Sequence, residues 1–317
     1  MKKKGKQLFQ KAVAMMMALL TATSIFPTST AMAATEKATI TFEYAYDSNG
    51  NAIHYQQTVT HDGITCGHAG ETRVRIYADG DDAYCIQPGI SLHTGDKLDK
   101  NASETWNALS KNQQKAINLA LLYGAQGNRK NLSGGTDEKV LATQLIVWEL
   151  VTECRNSTAP YNRTSAKFYN SHCVNGANSG VAKTYKEIVE FMQEHDTIPS
   201  FASSKKDSTA QELKWDGEQY VLKAKDENGI LSKFDFISSN SNVKVSASGN
   251  TLTITSKTAI TEEVLLSATK KIPTVSSSAK LIAYGDPSLQ DVVTGVENTD
   301  AVKAYLNVKI PYGHVEI

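Results

Sequence analysis

The sequence of 317 residues has few of the features that assign a chain quickly to a class. It has no net charge, with 33 basic and 33 acidic side chains, and no basic stripe, so nucleic acid and anionic membranes are not expected partners. Beyond its first 33 residues, no apolar run is long enough to span a bilayer. Its four cysteines allow two disulfides, but a chain of this size can bury an adequate core without them.

The first 33 residues follow the pattern of a secretory signal peptide. Lysines cluster in "MKKKGK", the apolar stretch "AVAMMMALLTATSIF" follows, and small residues at Ala31 and Ala33 close the segment. The apolar stretch is shorter than the roughly 20 residues of a membrane span, so we expect export and cleavage after Ala33. The signal holds five lysines and no acid, which leaves 28 basic and 33 acidic side chains and a net charge of −5.

The predicted secondary structure of the remaining chain changes near residue 200. Before it, hairpin signals in "ATITFEYAY" and "TRVRIYADGDDAYCI" are followed by three helical segments, "LSKNQQKAINLALLYG", "TDEKVLATQLIVWELVTE" and "VAKTYKEIVEFMQEH". After it, short alternating strands recur between turn residues, and no segment has a helical period. This second part is typical of an all-β sandwich.

One polar residue lies on the apolar face of the second helical segment. On a helical wheel, Gln144 is within about 40° of Val140, Trp148 and Val151. A buried carboxamide must find hydrogen-bond partners, or it destabilises the fold. Gln144 is therefore either a core glutamine bonded to the backbone or a side chain that is no longer a free amide.

Cys85 is a candidate partner for a modified Gln144. It ends a predicted strand in "AYCIQPG", immediately before a Pro-Gly turn. A thiolate held against the Gln144 side-chain carbonyl could expel ammonia and leave an internal thioester between the two residues. A thioester has no N–H donor, so it suits an apolar face better than an amide does.

The stretches "YCIQPG" and "TQLIVW", in this order, resemble the paired motifs of thioester domains in Gram-positive surface adhesins. That family has an aromatic-Cys motif and, farther along, a Thr-Gln-x-Ala-aliphatic-Trp motif. The resemblance covers roughly residues 36–200, and Ile146 stands where the family often has Ala. The matching residues are Tyr84, Cys85, Thr143, Gln144, Val147 and Trp148.

The resemblance implies an α+β fold. We expect a signal peptide at 1–33, a thioester adhesion domain at 34–200 and a β-sandwich supporting module at 201–317. The first domain would be a barrel-like β-sheet with an inserted helical part. Supporting modules of related adhesins often carry Lys–Asn isopeptide bonds, but the sequence does not assign a pair here.

The resemblance also implies a function as a covalent adhesin. Cys85 would supply the sulfur and Gln144 the acyl carbon, which a lysine amine of a host surface or matrix protein would attack. Each molecule reacts once, so no enzymatic activity, catalytic residue, metal or cofactor is expected, and neither is membrane insertion of the mature chain. The chain ends without a Leu-Pro-x-Thr-Gly signal, so we expect a secreted surface protein, anchored to the cell wall through a part absent from this chain.

Two other functions remain open. In a secreted cysteine hydrolase or transpeptidase, Cys85 would be the nucleophile and His93 or His68 its base. Against that function, Cys85 ends a strand and does not begin a helix, where its pKa would be lowered. In an inert stalk module, Cys85 and Gln144 would both be core residues.

The other cysteines carry two weaker hypotheses. A disulfide between Cys154 and Cys173 is possible and would leave Cys66 free. His68 and His172 each lie near a thiol in sequence, but these spacings match no compact zinc finger, so no metal site is predicted.

Export should remove residues 1–33. Sequencing of the mature N-terminus is expected to begin at Ala34 or within two residues of it. An exported protein that retains Met1 would contradict the signal peptide.

Overall fold

The computed structural model describes residues 36–311, so the predicted signal peptide lies outside the described residues. Its central feature is a closed barrel of six strands in the order β1-β4-β5-β15-β14-β6. All neighbouring strands are antiparallel. The barrel strands are β1 Lys37–Tyr44, β4 Val74–Ala78, β5 Asp81–Cys85, β6 Lys97–Lys100, β14 Ile282–Asp286 and β15 Leu289–Thr294.

Alternation along the strands builds the barrel interior. In β1, Ala38 and Ile40 are fully buried, and the residues between them are exposed. Strand β5 lies between β4 and β15, with Ala83 opposite Ile76 in one neighbour and Cys85 opposite Val292 in the other. A small hairpin, β2 Val59–His61 and β3 Ile64–Gly67, lies outside the barrel sheet.

The helices form a second layer over the barrel. Helix α2 begins with a capping box, in which Ser110 and Gln113 cap each other's backbone. Helix α3 packs against α2, α5 and strand β5, so it lies at the centre of the helical layer. The helices are α1 Glu104–Ala108, α2 Lys111–Tyr123, α3 Thr136–Val151, α4 Lys167–Asn170 and α5 Ser179–Glu194.

Two four-stranded sheets, β10-β13-β16-β7 and β11-β12-β9-β8, form the sandwich. Their facing side chains make a separate apolar core that includes Leu252, Ile254, Leu266, Leu306 and Val308. The strands are β7 Gln211–Glu212, β8 Lys214–Trp215, β9 Tyr220–Lys225, β10 Ile237–Ser238, β11 Val243–Ser248, β12 Thr251–Ser256, β13 Val264–Thr269 and β16 Lys303–Lys309.

The α+β class is confirmed, but the predicted contiguous module at 201–317 is corrected. Strands β14 and β15 belong to the barrel, where β15 pairs with β5 and β14 pairs with β6. The chain leaves the sandwich after β13 and returns to it with β16. Alternation along a strand predicts that one face is buried, but it does not specify which sheet the strand joins. Among residues 36–311, no helix has the length and apolar composition needed to cross a bilayer.

Strands from both halves of the chain pair in the barrel, and this pairing predicts the outcome of limited proteolysis. Residues 204–207 are exposed in the segment between α5 and β7, and they include Lys205 and Lys206. Trypsin should cut there, yet the two fragments should co-elute under native conditions because the β5–β15 and β6–β14 ladders hold them together. They should separate only in denaturant. Fragments that separate in native buffer would contradict the barrel.

Candidate functional site

The Gln144 carboxamide contacts both backbone groups of Cys85. The Cys85 N–H donates to Gln144 Oε1 at 2.8 Å, and Gln144 Nε2 donates to the Cys85 carbonyl at 2.9 Å. Both residues are buried, with 1% of Cys85 and 4% of Gln144 exposed. A helix side chain thus binds the end of β5 as a neighbouring strand would, and it brings the amide carbon beside the cysteine.

The fold explains why these two residues meet. Cys85 is the last residue of β5, whose neighbours β4 and β15 hold it inside the barrel sheet. Gln144 lies in the middle of α3, whose surface packs against β5. The sequence indicated that Gln144 is on an apolar face, and the structure adds that this face lies against Cys85.

Burial keeps the Cys85 thiol protonated. Removal from water raises the pKa of Cys85 to about 12, and this effect exceeds the opposing influence of Trp148, the Gln87 backbone N–H and Arg73. A free thiol in this place is therefore a weak nucleophile at neutral pH.

Trp148 and Arg73 form a stacked pair beside the cysteine. The Arg73 guanidinium lies 4.1 Å from the ring centre of Tyr55 and 4.7 Å from that of Trp148. The buried Trp148 Nε1–H has no conventional hydrogen-bond partner within residues 36–311. It nevertheless lowers the pKa of Cys85, so the sulfur is the group it faces; sulfur is a weak acceptor that hydrogen-bonds at longer range.

A cavity of about 280 Å³ opens onto this group. Both halves of the candidate thioester line its wall, together with the stacked arginine and residues from the hairpin and from β15. Residues that line it include Cys85, Gln144, Trp148, Arg73, Cys66 and Gln290.

The remaining motif residues lie in the core next to the site and stabilise the elements that hold it. Tyr84 and Val147 are fully buried in the core, and burial raises the pKa of Tyr84. Thr143 Oγ accepts from the Ala125 N–H at 3.0 Å and donates to the Lys139 carbonyl at 2.8 Å. Thr143 thereby ties α3 to the turn after α2.

Gly124 allows this close approach at the end of α2. A Cβ at Gly124 would lie 2.5 Å from both the Ala120 carbonyl oxygen and Thr143 Oγ. Only glycine fits there without displacing the helix backbone.

The structure describes Cys154 and Cys173 with separate thiols, and the disulfide between them stays a prediction. Cys154 lies in the turn after α3, where its carbonyl accepts the N–H groups of Thr164 and Ser165. Cys173 follows α4 and is half-buried, on a different element. Within residues 36–311, no three His, Cys, Asp or Glu side chains cluster in a way that could hold a metal ion.

The two histidines proposed as bases are poorly placed for that role. The His93 side chain is 74% exposed, and its Nδ1 lies 3.6 Å from Asp96. His68 is exposed, and its backbone N–H donates to Glu71. Neither histidine hydrogen-bonds to Cys85 within the part of the chain that the structure describes.

Sequence reasoning missed Arg73, Tyr55 and Cys66. Arg73 and Arg75 alternate with Val74 and Ile76, a pattern that normally marks a solvent-facing side of a strand. Tyr55 and Cys66 lie in irregular or hairpin segments. None of these residues carries a local signal of a shared cavity.

Comparison with known proteins agrees with this geometry. The family model of the thioester domain matches residues 82–194, just over a third of the chain, and this segment contains both Cys85 and Gln144. This segment of the chain is therefore similar in sequence to thioester domains. Among solved structures it is similar to the thioester domain of the Staphylococcus aureus TIE protein, at 19% identity and a TM-score of 0.48. That alignment covers 87% of this chain and 99% of the other. No curated protein matches the chain.

Replacing Thr143 by Val should destabilise the domain by about 1–3 kcal/mol, because the buried Ala125 N–H loses its acceptor. Thr143→Ser keeps the hydroxyl and should recover much of the loss. Urea unfolding of both variants measures the difference. Equal stability of Thr143→Val and the wild type would show that the hydroxyl does not hold the turn.

Proposed function

We propose that this protein is a covalent adhesin whose Cys85 and Gln144 form an internal thioester that an amine of a target protein opens. The observation that carries the proposal is the Gln144 carboxamide held on the backbone of Cys85, with both residues buried at the wall of a cavity. Two groups fixed in contact react far faster than the same groups free in solution.

Formation of the thioester would replace the carbon–nitrogen bond of the Gln144 amide by a carbon–sulfur bond. The Cys85 sulfur attacks the Gln144 amide carbon, the carbon–nitrogen bond breaks, and Nε2 leaves with the thiol proton as ammonia. The hydrogen bond from Nε2 to the Cys85 carbonyl is lost with it. The bond from the Cys85 N–H to Oε1 can persist, because the oxygen stays on the acyl group.

That remaining hydrogen bond would assist both acyl transfers. An N–H directed at the acyl oxygen stabilises the negative charge that develops there as a nucleophile adds to the carbon. When a neutral amine attacks the thioester, an amide forms to the target, the carbon–sulfur bond breaks, and Cys85 recovers its thiol. Each molecule would react once, as a reagent and not as an enzyme.

The cavity would restrict which nucleophiles reach the bond. Burial of Cys85 and Gln144 limits water at the acyl carbon, which slows hydrolysis. A lysine would have to be delivered by docking of a host surface or matrix protein. A covalent link of this kind suits an exported protein on the cell surface.

The cysteine hydrolase receives no support from the same geometry. A hydrolase needs an accessible thiol with a base beside it. Cys85 is buried, its pKa is raised to about 12, and its polar neighbours include an arginine and an indole but no histidine base within residues 36–311.

The mass of the intact protein tests the proposal. Freshly purified wild type should weigh less than its mature sequence by one ammonia. Methylamine should then expose a thiol at Cys85 and leave a methylamide on Gln144, because the acyl group moves from sulfur to nitrogen.

Two variants serve as controls. Cys85→Ala and Gln144→Ala should both have the full mass of their sequences and capture no amine, and Gln144→Ala should leave Cys85 as a free buried thiol. Full mass and four titratable thiols in unfolded, non-reduced wild type would refute the thioester.

A further inference from the structure

We propose that Arg73, the indole N–H of Trp148 and the backbone N–H of Gln87 form a binding site for the Cys85 thiolate that leaves when an amine opens the thioester. This inference rests on the proposed function. It assigns to Arg73 an electrostatic role in the acyl transfers.

Arg73 is buried and held firmly. Only 6% of it is exposed, immediately before β4. Its backbone N–H donates to the Ile53 carbonyl at 2.7 Å, and its own carbonyl accepts from the Ala45 N–H at 2.9 Å. With the side chain stacked between Tyr55 and Trp148, the guanidinium has a fixed place in the cavity.

This guanidinium has no carboxylate partner within residues 36–311. The neighbouring Arg75 forms ion pairs with Asp82 at 2.5 Å and with Asp137 at 2.9 Å, whereas Arg73 forms none. Burial lowers the pKa of Arg73 to about 9, and Cys85 is the group that opposes this shift. An unpaired buried cation is costly, so its retention points to an anion that it meets in function.

The Cys85 sulfur becomes that anion during reaction. When the amine displaces it from the acyl carbon, the electron pair of the carbon–sulfur bond stays on sulfur, and the amine nitrogen loses its proton to solvent. Burial makes this thiolate a poor leaving group, because it raises the pKa of the thiol, which lies at about 12 even with the opposing groups in place. Arg73 and the two N–H donors all oppose that effect.

The Arg73 guanidinium would also act when the thioester forms and when the amine enters the cavity. Thioester formation requires the Cys85 thiolate, which a fixed guanidinium favours. An amine that enters beside a buried positive charge is favoured in its neutral, nucleophilic form over its ammonium form. A carboxylate bound to Arg73 at rest would cancel both effects.

Other groups that face the sulfur or Arg73 do not supply this charge. Cys66 opposes ionisation of Cys85, and His172 is kept neutral because burial, and then Arg73, lower its pKa. The remaining charged or titratable residues that line the cavity are Tyr55, Glu71, Arg75 and His93.

The test is the pH dependence of Cys85 alkylation by iodoacetamide in protein opened with methylamine, followed by peptide mass spectrometry. Arg73→Met should slow alkylation at neutral pH about tenfold or more, which corresponds to a rise of one unit in the pKa of Cys85. Arg73→Lys should retain most of the wild-type rate. Trp148→Phe, which keeps a ring but removes the N–H, should also slow alkylation at neutral pH.

Arg163→Met is the matched control, because Arg163 is also stacked on an aromatic ring, 4.6 Å from the centre of Tyr169, outside this cavity. It should leave the Cys85 profile unchanged. Identical profiles for the wild type and Arg73→Met would overturn the inference. The inference would also be overturned if Arg73→Met lost its reactivity toward 6-aminohexanoate but kept its reactivity toward methylamine. Arg73 would then bind the carboxylate of a ligand.

The outcome is separable from that of the proposed function. If Arg73→Met fails to form the thioester, its Cys85 is already free, and the same alkylation profile is measured without methylamine. If the wild type has full mass, the thioester itself is refuted. If the wild type lacks one ammonia but the profiles coincide, only the role of Arg73 is refuted.

Discussion

The site depends on the two hydrogen bonds between the Gln144 carboxamide and the backbone of Cys85. They join the middle of the central helix to the end of a central barrel strand. The barrel holds the cysteine between two neighbouring strands, and the helical layer holds the glutamine over it. Because both elements are buried, the two side chains have little freedom to separate, and the amide is kept beside the sulfur.

The surroundings of this contact are unusual for a protein core. An apolar core would normally exclude an unpaired arginine and an indole N–H whose acceptor is only a weakly accepting sulfur, yet both lie around Cys85. A purely structural module gains nothing from these groups, since each is costly to bury. They are instead suited to a sulfur that gains negative charge. The Cys85 sulfur gains such a charge when the proposed thioester opens, which is the step in which Arg73 is proposed to act.

The sequence predicted the parts of the fold that local patterns control. Helices α2 and α3 and the apolar setting of Gln144 followed from spacing and periodicity, and the α+β class followed from the resemblance to thioester domains. The course of β14 and β15 did not, because their pairing with β6 and β5 is set by contacts 184 to 211 residues away in the chain. Glu149 shows the same limit: the helical wheel places it away from Gln144, but it is fully buried against Arg155 and Tyr185. Arg73 is a third case, since its alternation with apolar residues is that of an exposed strand face.

A high-resolution crystal structure of freshly purified protein, kept free of amines, would test the central claim most directly. The account predicts continuous density between Cys85 Sγ and the Gln144 side-chain carbon, no Nε2 atom, and an acyl oxygen that still accepts the Cys85 N–H. An intact carboxamide, with Nε2 donating to the Cys85 carbonyl and a separate thiol, would contradict it.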